Sequence, residues 1–428
     1  MEFIALILFI LIFVLILSGV QVAFVLGGLA SIFGMIFIPD FLSLLPYRIM
    51  GTMQNQVLLA VPLFIYMGLM LEKSGLAESM LYSMSRLFGN IRGGLALSVV
   101  FVGALLAAST GIVGATVVTM GLISLPTMIK NNYQMELATG TIVSSGTLGQ
   151  IIPPSVVLVL LGSVLNVSVG DLFRAALIPG ILLVFSYALY IFIIARVRPG
   201  IAPPLSELEG GTQQSWKDII SAFILPLVLI VAVLGSIFAG IASPTEAAAV
   251  GAMGASILTW GQGKYTLKVL REVMEGTTHL TSMVFLILLG ATTFALVFKG
   301  LDGDLYLINL IKGSDLSANA FLFLVMVLVF ILGFFIDFIE IIFIVVPVVA
   351  PLFIAYGIDL VWVGILLALN LQTSFLTPPF GFSLFYLKGV APPEVTTGHI
   401  YRGVIPFLLI QLVVLAAAIF FPSALGIL

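Results

Sequence analysis

Apolar runs about as long as a bilayer is thick recur from one end of this chain to the other, and no other feature constrains its fold as strongly. A helix needs about 20 apolar residues to cross the hydrocarbon. On that ruler, membrane helices are predicted at roughly 3–18, 20–38, 52–71, 135–165, 172–195, 219–241, 243–260, 278–298, 360–388 and 403–425. Barrel strands alternate apolar and polar residues, and stretches such as Phe321 to Ile336 do not. The reading is an all-α polytopic membrane protein. Of 428 residues only 8% are charged, against about 25% in soluble domains, which is too few to coat a water-soluble enzyme of this size. The 16 basic residues are scattered and form no nucleic-acid footprint. With 0 Cys and two distant histidines, His279 and His399, disulfides, thiolate nucleophiles and a helical zinc motif are excluded. Glu2 stands where a signal peptide has its basic region, so Met1 to Leu17 is expected to be a retained first span.

Two further apolar segments, roughly 93–129 and 318–355, fold back at a central polar or glycine-bearing point. Each reads either as two short spans or as a re-entrant hairpin, and both readings return the chain to its starting side. With the N-terminus outside, 12 basic residues fall inside (Lys73, Arg86, Arg92, Lys130, Arg196, Arg198, Lys217, Lys264, Lys268, Arg271, Lys388, Arg402). Only 4 fall outside (Arg48, Arg174, Lys299, Lys312), so the positive-inside rule places both termini outside. Three spans, one folded segment and two spans run to about 196, and the same order follows a polar stretch, Pro199 to Lys217, with Pro203-Pro204 and Gly210-Gly211. An odd number of crossings per half makes this an inverted-topology repeat. Gly149-Gln150-Ile151-Ile152-Pro153-Pro154-Ser155 is echoed by Ser374-Phe375-Leu376-Thr377-Pro378-Pro379-Phe380.

Those echoes carry the chemistry. A Pro-Pro pair inside an apolar span removes two backbone donors and breaks the helix. Broken backbone survives at membrane depth only inside protein or beside a water-filled cavity. In transporters the freed carbonyls bind cations and the half-helix N-termini face anions. Ser144, Ser145, Gly146, Thr147 and Gly149 surround Pro153-Pro154; Asn370, Gln372, Thr373, Ser374 and Thr377 surround Pro378-Pro379. Hydroxyl and amide oxygens beside released carbonyls suit Na⁺. One such pair is an ordinary kink; two at matching places in inverted halves point to two sites. Ala107 to Thr116 interrupts the first folded segment with glycines and hydroxyls, and Gly333 to Glu340 interrupts the second with Asp337 and Glu340. An ionisable group at membrane depth is a functional candidate. Gly111 precedes Pro153 by 42 residues and Asp337 precedes Pro378 by 41, so each tip stands at nearly the same distance from its own break. Glu246 in Ser243-Pro244-Thr245-Glu246 is expected to start a helix. Arg174 and Arg402 are expected to snorkel, Glu72 and Lys73 to face solvent, and His279 to lie near a span end. No Walker A motif is present, so ATP is not the direct drive.

Taken together, Ser145-Gly146-Thr147-Leu148-Gly149-Gln150-Ile151-Ile152-Pro153-Pro154-Ser155 and Leu376-Thr377-Pro378-Pro379-Phe380-Gly381 carry a specific resemblance, supported by Leu59 to Phe64 and Pro244 to Ala249. Over essentially its whole length the chain resembles the large membrane subunit of tripartite ATP-independent periplasmic (TRAP) transporters. The resemblance implies a Na⁺-driven, elevator-type importer of an organic anion in a bacterial inner membrane, with two re-entrant hairpins, two broken helices and no cofactor beyond the coupling ion. It implies two partners, a small membrane subunit of about four spans and a periplasmic substrate-binding protein. Carried over, the sodium and substrate residues are Ser109, Gly111, Gly114, Ser145, Gly146, Thr147, Gly149 and Pro153, then Gly333, Asp337, Asn370, Thr373, Thr377 and Pro378. Sodium is assigned to Ser109, Gly146, Gly149, Gly333, Asp337 and Thr377. The implied division is 1–92 and 218–313 as scaffold and arm helices, and 93–170 and 314–390 as the two parts of a transport domain. The remainder is 171–198 as a linking helix, 199–217 as a cytoplasmic connector and 391–428 as a C-terminal helix. The first tip departs from the Ser-Gly-Ser-Ser-like pattern of many relatives, Glu340 is an acid that many relatives lack, and Phe375 and Phe380 flank the second break, with Tyr386 further along the same span. These departures point to a small or apolar substrate such as a 2-oxo monocarboxylate.

Other readings compete. A stand-alone Na⁺/carboxylate symporter of related fold would need no binding protein. An intramembrane hydrolase could use Asp337 with Glu340, or a serine with a lysine, but no second intramembrane acid at a comparable depth completes an aspartyl dyad. A passive channel would need a polar helix face, whereas the polar residues cluster at the breaks.

Overall fold

In so apolar a chain the helix boundaries come from the few small polar residues. Ser168, Ser243, Thr266, Ser317, Asp359 and Thr396 each accept an amide hydrogen from the first turn of the helix that follows them. Glu246 closes a capping box with Ser243, as a helix-start residue should. The computed structural model describes residues 2–204, 216–313 and 316–428, without the side chains of residues 2, 109, 110, 216–222, 311 and 312. Among the described residues there are helices and turns and no strand.

The first half runs through α1 (Glu2–Leu17), α2 (Val22–Phe37, with a π turn at Val25–Leu29), α3 (Leu45–Met53), α4 (Gln56–Lys73) and α5 (Leu76–Leu87). A hairpin follows, α6 (Gly94–Thr110) and α7 (Val113–Lys130). The predicted span 135–165 is two helices, α8 (Met135–Thr147) and α9 (Val156–Leu165), and α10 (Val169–Val197) ends this half. The second half has α11 (Trp216–Phe238), α12 (Pro244–Gly261), α13 (Leu267–Gly300) and α14 (Gly303–Lys312). Its hairpin is α15 (Ala318–Leu332) against α16 (Phe338–Ile344) and α17 (Val346–Ala355), the last two meeting at a 52° bend. The predicted span 360–388 is α18 (Leu360–Leu376) and α19 (Phe382–Val390), and α20 (Thr397–Phe420) closes the chain. Hairpin, broken helix and long helix thus occur in the same order twice.

Among the described residues, five helices are individually long and apolar enough to cross a membrane: α4, α7, α10, α13 and α20. The other apolar stretches with described side chains are shorter, among them Phe3–Leu17, Gly94–Ala108, Val156–Leu165 and Phe223–Phe238. Each long helix sorts its faces by packing. On α10, Leu183, Tyr187 and Ile191 are buried, and the Tyr187 ring meets Phe407 of α20 edge-on at 5.1 Å. Phe185, Leu189 and Ile193 on its other face are exposed, as lipid-facing residues are.

The structure corrects several sequence expectations. Helix α13 starts at Leu267, well before the predicted 278, because Arg271–Glu275 and Lys268–Glu272 pairs extend it as a polar helix that a hydropathy ruler does not register. His279 therefore lies inside a helix, about where its polar first turns give way to the apolar run. The predicted 52–71 span starts at Gln56, where the Asn55 side chain caps Val57 N at 3.0 Å. Arg174 does more than snorkel: its guanidinium donates to the Phe238 carbonyl at the end of α11. Glu72 does not face solvent. Its side chain is 8% exposed, and Thr119 Oγ1 of α7 donates to it at 2.8 Å. In the connector, Ala202 and Ile201 carbonyls accept from Gly93 N (3.0 Å) and Gln134 N (2.8 Å), joining loops that the charge count put on one side. Gly210-Gly211 lies outside the described residues.

Candidate functional site

The first hairpin turns on Gly111, whose φ of +63° is the left-handed region that glycine enters without a Cβ clash. A Cβ there would stand 2.7 Å from the Val156 amide, so this tip lies against the first residue of α9. Similar closeness seats the hairpin on α8. A Cβ on Gly103 would stand 2.7 Å from Ser145 Oγ and one on Gly146 3.1 Å from Val117 Cα, and one on Gly149 would overlap the Ala107 carbonyl oxygen. In the second half a Cβ on Gly333 would overlap the Ser374 hydroxyl. Asn370 Nδ2 donates to the Met326 carbonyl at 2.7 Å, tying α18 to α15.

Both breaks have the form that proline imposes. Between α8 and α9 the chain carries a cis Pro153-Pro154 bond, and between α18 and α19 a cis Pro378-Pro379 bond. Ser155 reconnects the first break, donating to Gln150 O at 3.0 Å and accepting from Leu158 N at 3.4 Å. At the second, Gly381 N donates to Thr377 O at 3.0 Å and Ser383 Oγ to the Phe375 carbonyl. Across the halves, a Cβ on Gly114 would stand 3.1 Å from the Tyr386 ring. Two hairpin tips and two breaks therefore meet in one place.

At that meeting point lies a cavity of about 200 Å³. Hairpin one supplies Ile112, Val113 and Gly114; hairpin two supplies Asp337, Phe338 and Ile339; the broken helices supply Val156, Phe375 and Tyr386. Ile65 of α4 and Leu280, Met283 and Val284 of α13 complete the wall. The wall is apolar except for Asp337 and Tyr386. A helix N-terminus carries unpaired amides and partial positive charge. At α16 the protein fills that role itself: Asp337 Oδ1 accepts from Phe338 N at 2.8 Å, and Glu340 Oε2 accepts from Asp337 N at 3.1 Å.

Of the residues singled out from sequence, Gly114 and Asp337 line the cavity, Gly111 touches Val156, and Gly146, Gly149 and Gly333 are close-packing points between hairpin and broken helix. Ser145, Thr147, Thr373 and Thr377 return their hydroxyls to their own helices, at Ile142 O (3.0 Å), Ser144 O (2.9 Å), Leu369 O (2.7 Å) and Thr373 O (2.8 Å). Asn370 is a clamp, Pro153 is buried in its break and Pro378 is half-buried. The Ser109 side chain lies outside the described residues. Beside the breaks, Gln150 and Gln372 are fully buried with no partner for either amide atom, as are the hydroxyls of Thr141 and Ser144. Sequence reasoning missed Ile65, Val156, Leu280, Met283 and Val284, apolar residues with no local signal that separates them from lipid-facing neighbours.

Residues 9–424 match the family model described as the tripartite ATP-independent periplasmic transporter, DctM component. The chain is 32% identical to a C4-dicarboxylate TRAP transporter large permease protein of Pseudomonas aeruginosa, over 91% of this chain and 90% of that one. It is 30% identical to a sialic acid TRAP transporter large permease protein of Vibrio cholerae, over 96% and 94%. In fold it is similar to the crystal structure of the Alcanivorax borkumensis YdaH transporter, with a TM-score of 0.65 at 16% identity, over 94% and 96% of the two chains.

Proposed function

The chain belongs to the DctM component family of tripartite ATP-independent periplasmic transporters, a membrane transport subunit and not an enzyme, and on that premise we propose that it imports a small organic anion driven by sodium. The family implies the two companions, a small membrane subunit and a periplasmic binding protein that delivers the substrate, and an inner-membrane location. The observation that carries the reading is the convergence of both hairpin tips and both helix breaks on one small cavity with Asp337 in its wall.

The electrostatics give sodium a task. A carboxylate in an apolar wall repels an incoming anion, so the anion enters only with a cation to offset Asp337. Hard oxygen donors lie along the first broken helix and at its break: the backbone carbonyls there and the unpartnered side chains of Gln150, Ser144 and Thr141. Such donors suit Na⁺. Among the described residues no cluster of three His, Cys, Asp or Glu competes for it. In our reading Na⁺ orders the tips against the broken helices, with ligands drawn from Ser109, Gly146, Gly149, Gly333, Asp337 and Thr377, and thereby completes the anion site.

The two halves act as inverted repeats with both termini periplasmic. The transport body comprises 93–170 and 314–390 and slides as an elevator past α1–α4 and α11–α13. The tight crossing of α8 on α20, where Gly140 and Gly403 face each other's partner backbone, supports carrying α20 with that body, and the Tyr187–Phe407 contact supports adding α10. The cavity volume of about 200 Å³ is below the roughly 300–1,000 Å³ of sites for drug-sized ligands. Together with Phe338 and Phe375, 6.2 Å apart, it favours a short carboxylate such as a 2-oxo monocarboxylate over a sugar acid.

Radiolabelled uptake into proteoliposomes, with the binding protein and small subunit present, tests this across a panel of organic acids. Uptake that needs an inward sodium gradient and both companions is expected. Sodium-driven uptake by this chain alone would replace the tripartite reading with a stand-alone symporter, and equal uptake on potassium would remove sodium coupling.

A further inference from the structure

A second, larger cavity of about 750 Å³ lies between α3, the end of α9, α13 and the α16–α17 arm. Its register relates it to the first. Val284 and Ile339 line the small cavity, while Leu288 and Phe343, one helical turn further along the same two helices, line the large one. All four side chains are buried. The large cavity therefore stands directly over the small one, with Leu288 and Phe343 in its floor.

Its wall differs in kind. Thr52, Asn55, Ser163, Asn166 and Thr292 add polar groups to it, and Arg48 of α3 and Lys299 of α13 bring two cations to it. Among the described residues neither forms an ion pair. Asp304 is the acid in the lining, and its Oδ1 accepts from Leu305 N at 2.9 Å at the start of α14. Two cations against one acid leave a net positive concavity in a chain where only 8% of residues are charged. A cleft of one sign between low-dielectric walls concentrates ions of the other sign.

We propose that this cavity is a vestibular anion site, in which Arg48 and Lys299 gather a water-soluble carboxylate above the inner cavity. The inference deepens the anion-import reading and rests on it for the ligand's class. Its electrostatics are testable without any transport.

Because the chain has 0 Cys, single thiols report the vestibule cleanly. Ser163→Cys and Thr292→Cys place one on each wall of the full-length protein in phosphatidylcholine nanodiscs. Labelling rates with an anionic (sulfonatoethyl) and a cationic (trimethylammonioethyl) methanethiosulfonate are each divided by the rate with a free thiol. One net charge at about 8 Å in watery surroundings raises a counter-ion about 2.4-fold and lowers a co-ion about 2.4-fold, an expected ratio of about six in favour of the anionic reagent. That ratio should shrink with salt, and in Arg48→Gln/Lys299→Gln, where Asp304 remains, it should reverse. Unreactive thiols would overturn the proposal by showing a closed or filled cavity, and a ratio near one, or one unmoved by the double variant, would overturn it as well. If phosphatidylglycerol in the nanodisc abolishes the preference, a lipid headgroup and not a soluble anion is the occupant. Failure of sodium-driven uptake would leave these rates unaffected, so the two readings fail separately.

Discussion

The contact between Glu72 and Thr119 makes a quantitative test of how the hairpin is held. Glu72 ends α4, Thr119 sits midway along α7, and the hydroxyl donates to Oε1 at 2.8 Å. The same oxygen lies 3.4 Å from Lys73 Nζ, but Lys73 is 45% exposed, so that pair contributes only about 0–1 kcal/mol. The other oxygen, Oε2, is buried without a partner. The hydroxyl is thus the main compensation for a carboxylate taken out of water. Hydrogen bonds to charged groups contribute about 1.5–3 kcal/mol. Thr119→Val should therefore raise the population in which α7 separates from α4 by about 10- to 100-fold, at 1.4 kcal/mol per decade.

The assay is thiol labelling at Ser124→Cys, a fully buried position on α7 whose hydroxyl has no partner to lose. When reclosing is faster than labelling, the rate follows the open population. Glu72→Gln should raise the rate less than Thr119→Val does, because a neutral bond remains. The double variant should be far from additive, with a coupling above about 1 kcal/mol. Rates within twofold of the parent in both single variants, or additive effects in the pair, would refute the argument that this bond holds the hairpin.

Three further outcomes follow from the same reasoning. Gly140→Ala would drive a Cβ into the Gly403 carbonyl where α8 crosses α20, costing about 1–3 kcal/mol by overpacking; the melting midpoint at a fixed scan rate should fall, while Gly51→Ala, with nothing within 4 Å, should not lower it. Burial at the α7–α8 loop pushes the Tyr133 phenol from its ordinary 10 up to about 12, so folding favours the protonated form. Stability is then full below pH 10 and declines by about 3 kcal/mol as pH rises from 10 to about 12; the difference in denaturation midpoint between parent and Tyr133→Phe should vary across that window and nowhere else. Asp337→Asn should cut sodium-dependent uptake at least about tenfold, whereas Glu340→Gln, which caps the Asp337 amide at 3.1 Å and is not in the cavity wall, should lose much less. Equal losses would make Asp337 a helix cap and nothing more.

What was legible in the sequence was whatever follows from local backbone chemistry. Proline removes donors wherever it stands, so Pro153-Pro154 and Pro378-Pro379 announce two breaks. Gly111 and Gly333 mark the tips, and the sparse charges require a bilayer. Asp337 stood out because an acid is costly at that depth, and it does reach the cavity wall.

Only the tertiary structure decided which oxygens are free and which residues share a space. The hydroxyls of Ser145, Thr147, Thr373 and Thr377 each donate to a carbonyl of their own helix, a pairing that the sequence alone did not indicate. Glu72 looked like a solvent-facing end residue until α7 packed against it. Ile65, Leu280, Met283 and Val284 enclose the inner cavity, and Arg48 and Lys299 line the outer one, from segments far apart in the chain. The reason is physical: in a chain 61% hydrophobic, the faces of a helix that meet lipid and protein carry the same residue types. Periodicity cannot separate them, and only the packing of distant helices determines which side chains line a cavity.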